Sequence, residues 1–199
     1  MHILCSDLEG VFVPEVWINV AEKTGIPALR RTTRDEPDYD KLMHYRMKIL
    51  DEHGLKLKDI QNVIAQIKPL PGAIEFIEWM KERTQLIVVS DTFIQFADPL
   101  MKQLNRPTLF CHSLIIDETD RIIGYKLRQP DPKRKTVEAL QSLTYQVIAF
   151  GDSYNDVSML KQADVGILFR PPQNVIDDFP QFPVCYDYEK IKKILVQYI

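Results

Sequence analysis

Three short apolar runs, each closed by a polar residue, constrain the fold of this chain more than any other feature. Residues 3–6 (ILCS) end at Asp7, residues 86–89 (LIVV) end at Ser90-Asp91-Thr92, and residues 147–150 (VIAF) end at Gly151-Asp152. A nearly continuous apolar run of this length suits a strand buried on both faces. Segments of helical period separate the runs, and strands alternating with helices make a mainly parallel, Rossmann-like α/β sheet with helices on both faces. Residues 108–111 and 165–168 fit as further strands, the first of them weakly. Residues 113–116 and 122–127 flank Asp117-Glu118-Thr119-Asp120 and read as a hairpin.

Residues 14–68 interrupt this alternation with helical patterns alone. Pro14 suits a helix start and Gly25 its stop, with Val16, Trp17, Val20 and Ala21 as the apolar face. A second helix is predicted over 38–53, with Tyr39, Leu42, Met43 and Leu50 on one face and Arg46 among them. A third, over 59–67, carries Ile60, Val63, Ile64 and Ile67. The expectation is a small helical cap, 14–68, inserted into an α/β core of 1–13 and 69–199. The stretches 11–14 and 68–72 (KPLPG) are its hinges. Further helices are expected over 73–83, 96–104, 132–143 and 188–196, with another ending at Ala163.

Composition narrows the class. The 199 residues suit one domain with a small insertion. The net charge of −3 argues against a broad nucleic-acid surface. No apolar run approaches the roughly 20 residues of a membrane span. The N-terminal residues carry no basic leader, which sets the expectation of a cytoplasmic chain. Cys5, Cys111 and Cys185 form no CxxC pair, and the four histidines lack zinc-ligand spacing. Nothing in the sequence decides between a monomer and a homodimer.

Ligands of an open parallel sheet bind beyond the carboxyl ends of its strands. Asp7, Glu9, Asp152 and Asp156 would gather there, and such a cluster repels itself unless a cation joins it. Hard oxygen donors with few histidines favour Mg²⁺, which in turn points to a phosphorylated substrate. Asp7 is the candidate nucleophile, since a carboxylate can attack phosphorus. Glu9 is a candidate acid and base. Ser90 offers a hydroxyl and the following N–H groups to phosphate oxygens. Lys133, at a predicted helix start, offers a positive charge, and Asp152 a second metal carboxylate. Asn155 and Asp156 follow on the same loop. Taken alone, an Asp closing a strand is usually a turn or cap residue. Cys5 reads as core and His112 as structural. The ordered set of motifs is what points to phosphoryl chemistry.

The segments DLEGVFVPEVW, TTRDEPDYD, ILDEHGLKL, LRQPDPKRK, GDSYND and FPQFP together resemble the haloacid dehalogenase superfamily of phosphohydrolases, over essentially the whole chain. Within it the chain resembles the phosphoserine phosphatase group, and there the bacterial type that is also a phosphoserine:homoserine phosphotransferase. The resemblance implies the haloacid dehalogenase fold and phosphoserine and homoserine as substrates. It implies Asp7 as nucleophile, Glu9 as acid/base, and Mg²⁺ held by Asp7, the Glu9 backbone carbonyl and Asp152. Ser90 and Lys133 would hold the phosphate, with Asp91 and Asn155 at the substrate and Asp156 supporting. Most phosphatases of the superfamily carry Asp where this chain has Glu9. Within the cap, Arg46 suits the substrate carboxylate and Glu15 the amino group. Two other readings compete. One is a phosphatase for another small phosphate ester. The other is a receiver-type signalling domain, which would need neither the insertion nor Glu9.

Overall fold

The computed structural model describes residues 1–33, 35–36 and 38–199. Strand β1 is His2–Ser6 and is followed by three α-helices: α1 (Val16–Thr24), α2 (Tyr39–Glu52) and α3 (Leu57–Ile64). Next come α4 (Ala73–Lys81), β2 (Gln85–Phe93), α5 (Ile94–Gln103), and the pair β3 (Thr108–Ile116) and β4 (Ile122–Lys126). The chain closes with α6 (Pro132–Ser142), β5 (Gln146–Gly151), α7 (Val157–Gln162), β6 (Val165–Phe169), α8 (Gln173–Asp178), β7 (Val184–Cys185) and α9 (Tyr188–Leu195). Short 3₁₀ turns lie at Pro27–Arg30 and Tyr154–Asp156.

The strands form one seven-stranded sheet in the order β4-β3-β2-β1-β5-β6-β7. All neighbours pair in parallel except β3 and β4. Chain order reverses at β1, which lies between β2 and β5, and this is the switch point where such sheets bind ligands. The register settles what meets there. Ser6 pairs with Val88 on one side and Phe150 on the other. Asp7 therefore leaves the sheet level with Gly151, beside Ser90 and Asp152.

Alternate strand residues feed two apolar layers, as the two-residue period requires. Ile3, Cys5, Ile87, Val89, Val147 and Ala149 pack with Val137 of α6, Met159 and Leu160 of α7 and Val175 of α8. Leu4, Val88, Ile148 and Phe150 face the other way, into a larger cluster with α4, α5, α9 and the helices of 14–68. Phe76 is its hub. The ring stacks on Tyr188 at 4.8 Å and meets Phe150 edge-on at 6.0 Å.

Local signals explain most element ends. Gly25 closes α1 at φ 70°, a left-handed conformation that costs glycine little. Asp38 caps α2 by accepting the Lys41 N–H. Several expectations need correction. The third helix runs over Leu57–Ile64 and not 59–67. It begins early because the Asp59 carboxylate accepts the Lys56 N–H at 2.8 Å. It ends early because its last turn tightens: Gln66 and Ile67 donate to Val63 and Ile64. Residues 108–111 and 113–116 are one strand, β3, whose first half pairs with β2 and whose second half pairs with β4. Strand β2 continues through Ser90-Asp91-Thr92 to Phe93, with a register shift between Val89 and Phe93. Helix α8 and strand β7 went unforeseen, because the prolines around 171–183 mask any period. Among the described residues no helix is long and apolar enough to cross a membrane.

Candidate active site

The site is assembled at the carboxyl ends of β1, β2 and β5. Asp7 donates its N–H to the Phe150 carbonyl at 3.1 Å, extending the β1–β5 ladder by one residue. Its Oδ1 accepts the Leu8 N–H at 2.8 Å. The chain then turns at Gly10, where φ is +73° and an added Cβ would lie 2.5 Å from the Asp152 carboxylate. Gly151 has the same part to play for Asp156, whose Cγ an added Cβ would meet at 2.3 Å. Two glycines thus leave room for two carboxylates.

The loop after β5 closes on Asp156, which is fully buried. Its Oδ2 accepts the N–H groups of Asp152 and Ser153 at 2.9 and 3.1 Å. Its Oδ1 accepts from Lys133 Nζ at 2.7 Å. The same ammonium lies 3.1 Å from Asp7 Oδ1 and 3.7 Å from Asp91 Oδ2. Burial by itself would depress the Lys133 pKa. Asp156, Asp7 and Asp91 outweigh it and hold the amine charged, well above its ordinary range. Burial lifts the Asp7 carboxyl well above the usual carboxylate range; Asp156, Asp152 and Asp91 add to the lift and Lys133 opposes it. Asp91 goes the other way. Burial would raise it, but Lys133, His112 and Asn155 bring it down to about 2.

Above this floor, Asp7, Glu9, Ser90 and Asp152 face Glu15, Trp17 and Arg46 across an open cleft. Glu9 accepts the Val16 N–H at 2.8 Å, so it is tied to the first turn of α1. Burial and the neighbouring Glu15 raise its pKa to about 7, against the Val16 bond, Arg46 and Lys133. Arg46 is buried, with its guanidinium 4.5 Å over the Trp17 ring. One Nη donates to the Arg31 carbonyl at 2.9 Å. Its Nε finds no hydrogen-bond partner among the described residues. Burial lowers its pKa to about 10, against Tyr39, Glu9 and Glu15. Tyr39, two helical turns before Arg46 on α2, donates its hydroxyl to the Asp91 carbonyl at 2.9 Å.

The structure therefore brings all ten expected residues together. Asp7, Glu9, Glu15, Arg46, Ser90, Asp91, Asp152 and Asn155 line the cleft. Lys133 and Asp156 lie behind it, buried. Of the TTRDEPDYD segment, Thr32 and Thr33 also line the cleft, while Arg34 and Pro37 lie outside the described residues. Sequence reasoning missed Tyr39 and Trp17, because each counts as one more apolar residue on a helix stripe. Their polar atoms and ring faces matter only once the helix is placed. Oxygens of Asp7, Asp152 and Asp156 lie within 4.8 Å of one another, a spacing one metal ion can bridge.

Known proteins resemble this chain in sequence and in fold. The family model described as "haloacid dehalogenase-like hydrolase" matches residues 12–164. The chain is 62% identical over 193 residues to the phosphoserine phosphatase ThrH of Pseudomonas aeruginosa, covering 97% of this chain and 94% of that protein. It is 60% identical over 197 residues to a phosphoserine phosphatase of Pseudomonas syringae pv. tomato, covering 99% of this chain and 83% of the other. Among solved structures, a phospho-aspartyl intermediate analogue of phosphoserine phosphatase superposes with a TM-score of 0.78. It covers 96% of this chain and 97% of its own at 20% identity, which speaks to the fold alone.

Proposed function

We propose, from the premise that this chain belongs to the haloacid dehalogenase-like hydrolases, that it is a phosphoserine phosphatase that also passes the phosphoryl group to homoserine. Phosphoserine carries a phosphate, a carboxylate and an ammonium group, and the cleft offers a counterpart to each. The observation that carries the substrate reading is Arg46: a buried guanidinium on the cleft wall, whose Nε has no hydrogen-bond partner among the described residues, is suited to a planar carboxylate. Glu15 is the counterpart for the ammonium. The close relationship to two phosphoserine phosphatases supports the same substrate.

In this reading the Asp7 carboxylate attacks phosphorus and the bond to the seryl oxygen breaks, leaving an aspartyl phosphate. Glu9 gives its proton to that oxygen; a pKa of about 7 keeps it loaded near neutrality. Serine leaves. The Glu9 carboxylate then takes the proton of water or of the homoserine hydroxyl as either attacks the phosphoryl group. The Ser90 hydroxyl and the Lys133 ammonium hold the phosphoryl oxygens. Residues 14–68 act as a cap over these steps, hinged at 11–14 and 68–72, and limit the bulk water that reaches the intermediate. Glu9 is one methylene longer than Asp, and this sets its carboxylate so that an alcohol competes with water.

The donor set fits Mg²⁺. Buried carboxylates of Asp7, Asp152 and Asp156 gather within 4.8 Å of one another, one lysine pairs with Asp7 and Asp156, and all donors are hard oxygens. Both Asp156 oxygens are already occupied by Lys133 and by two N–H groups. That leaves Asp7 and Asp152 as the carboxylate ligands we assign, joined by the Glu9 carbonyl as the family resemblance implies. The ion would offset carboxylate charge and polarise the phosphoryl oxygens.

The test is one incubation of the protein with phosphoserine and Mg²⁺, with and without homoserine, following phosphate and phosphohomoserine together. Phosphohomoserine formed at the expense of phosphate is expected, and EDTA should stop both products. Glu9→Asp should lower the ratio of transfer to hydrolysis. Phosphate release indifferent to homoserine would leave a plain phosphatase. A second reading, a different small phosphate ester, would gain ground if Arg46→Ala left the KM for phosphoserine unchanged.

A further inference from the structure

His112 is a buried side chain that the mechanism above does not use. It lies on β3 opposite Phe93, at the point where the β2–β3 register shifts. Its Nδ1 accepts the backbone N–H of Arg128 at 3.1 Å. An acceptor nitrogen carries no proton, so the ring proton belongs to Nε2. That atom stands 3.5 Å from Asp91 Oδ1. Ring contacts hold the imidazole in this orientation, with Phe93 at 6.2 Å and Tyr39 at 6.3 Å between centroids. The other Asp91 oxygen, Oδ2, accepts from Asn155 Nδ2 at 3.1 Å. Tyr39, which packs on His112, donates to the Asp91 carbonyl. Asp91 is thus held from three directions while still lining the cleft.

We infer that His112 is a positioning residue, whose Nε2–H fixes the Asp91 carboxylate on the cleft wall, turned toward the amino-acid end of the substrate. Its Oδ2 already stands within ion-pair reach of Lys133, at 3.7 Å. An Asp91 free to close that gap would compete with Asp7 and with the phosphate for the one buried ammonium. The His112 Nε2 contact and the Asn155 hydrogen bond keep it at the wall as an anion, where a cationic amino group can pair with it. The choice of ester rests on the phosphoserine reading; the His112–Asp91 link does not.

Two substitutions separate the two ring nitrogens. His112→Asn keeps an acceptor near Nδ1 for Arg128 and loses the reach to Asp91. His112→Gln keeps a donor near Nε2. The KM for phosphoserine should rise about tenfold in His112→Asn, the worth of one hydrogen bond to a charged group, with kcat changed far less. His112→Gln should recover most of the loss. In a double-mutant cycle, Asp91→Ala with His112→Asn should be no worse than Asp91→Ala alone. Multiplying losses, or a fall in kcat with KM unmoved, would make His112 a purely structural residue and overturn the inference. A wild-type protein inactive on phosphoserine would overturn the function proposed above instead. The ¹⁵N shifts of the His112 ring then decide the link. They should report a protonated Nε2 that responds to Asp91→Ala, and a ring indifferent to that change would sink the idea.

Discussion

At the scale of single residues, two missing side chains matter as much as the charged groups. A Cβ on Gly10 would meet the Asp152 carboxylate at 2.5 Å, and the residue's φ of +73° disfavours any other side chain. Gly10→Ala should therefore displace Asp152 and lower kcat/KM about 100-fold, the scale of a misplacement near 1 Å. The Mg²⁺ concentration needed for half activity should rise with it. Steady-state kinetics over a Mg²⁺ series would check this, and an unaltered Mg²⁺ response would contradict it. Glu9 supplies a pH prediction. Its carboxyl is raised to about 7, by burial first and by Glu15 second. A raised carboxyl keeps its proton up to that pH and loses it above. Protonation of the leaving oxygen should then fall about tenfold per unit as pH rises beyond roughly 7. Single-turnover formation of the aspartyl phosphate across pH 5–9 would show that limb, and Glu9→Gln should abolish it.

At the scale of elements, capping and contacts between elements decide where segments end. Asp187 caps α9 by accepting the Lys190 N–H at 2.7 Å. Helix α9 matters beyond its length, because its first residue, Tyr188, stacks on both Phe76 and Phe169. Asp187→Ala should cost about 1 kcal/mol, read as a lower urea midpoint at unchanged slope. The β3–β4 hairpin shows the opposite case, an element whose role its own sequence hides. Its turn is bound to the helices of 14–68. Arg121 pairs with Asp51 at 2.5 and 2.6 Å, and the Asp120 carbonyl accepts the Leu57 N–H at 3.0 Å. Asp120 Oδ2 accepts the Lys58 N–H at 3.0 Å. The sequence showed a hairpin, since turn residues between apolar runs suffice for that. It could not show that the strand before the turn also extends β2, because pairing depends on which edge is presented.

At the scale of the whole molecule, the helices of 14–68 share one continuous apolar cluster with α4, α5 and the sheet. These helices and the sheet should therefore unfold together. The two tryptophans allow a direct check, since Trp17 lies in α1 and Trp79 in α4. Single-tryptophan variants, Trp17→Phe and Trp79→Phe, should each give a fluorescence midpoint that coincides with the circular-dichroism midpoint of the same variant. A Trp17 signal that melts ahead of the dichroism would mean that α1 and its neighbouring helices open as a separate unit. What the sequence by itself determined was local: the five parallel runs that became strands and the helical stretches between them. Periodicity, capping and glycine conformation act within a few neighbouring residues, so they are written in order along the chain. Only the tertiary structure decided that Lys133 stands between Asp7 and Asp156, that Arg46 is buried over Trp17, and that His112 reaches Asp91. Desolvation and Coulomb forces depend on distance in space, and the sheet register alone turns separation along the chain into contact.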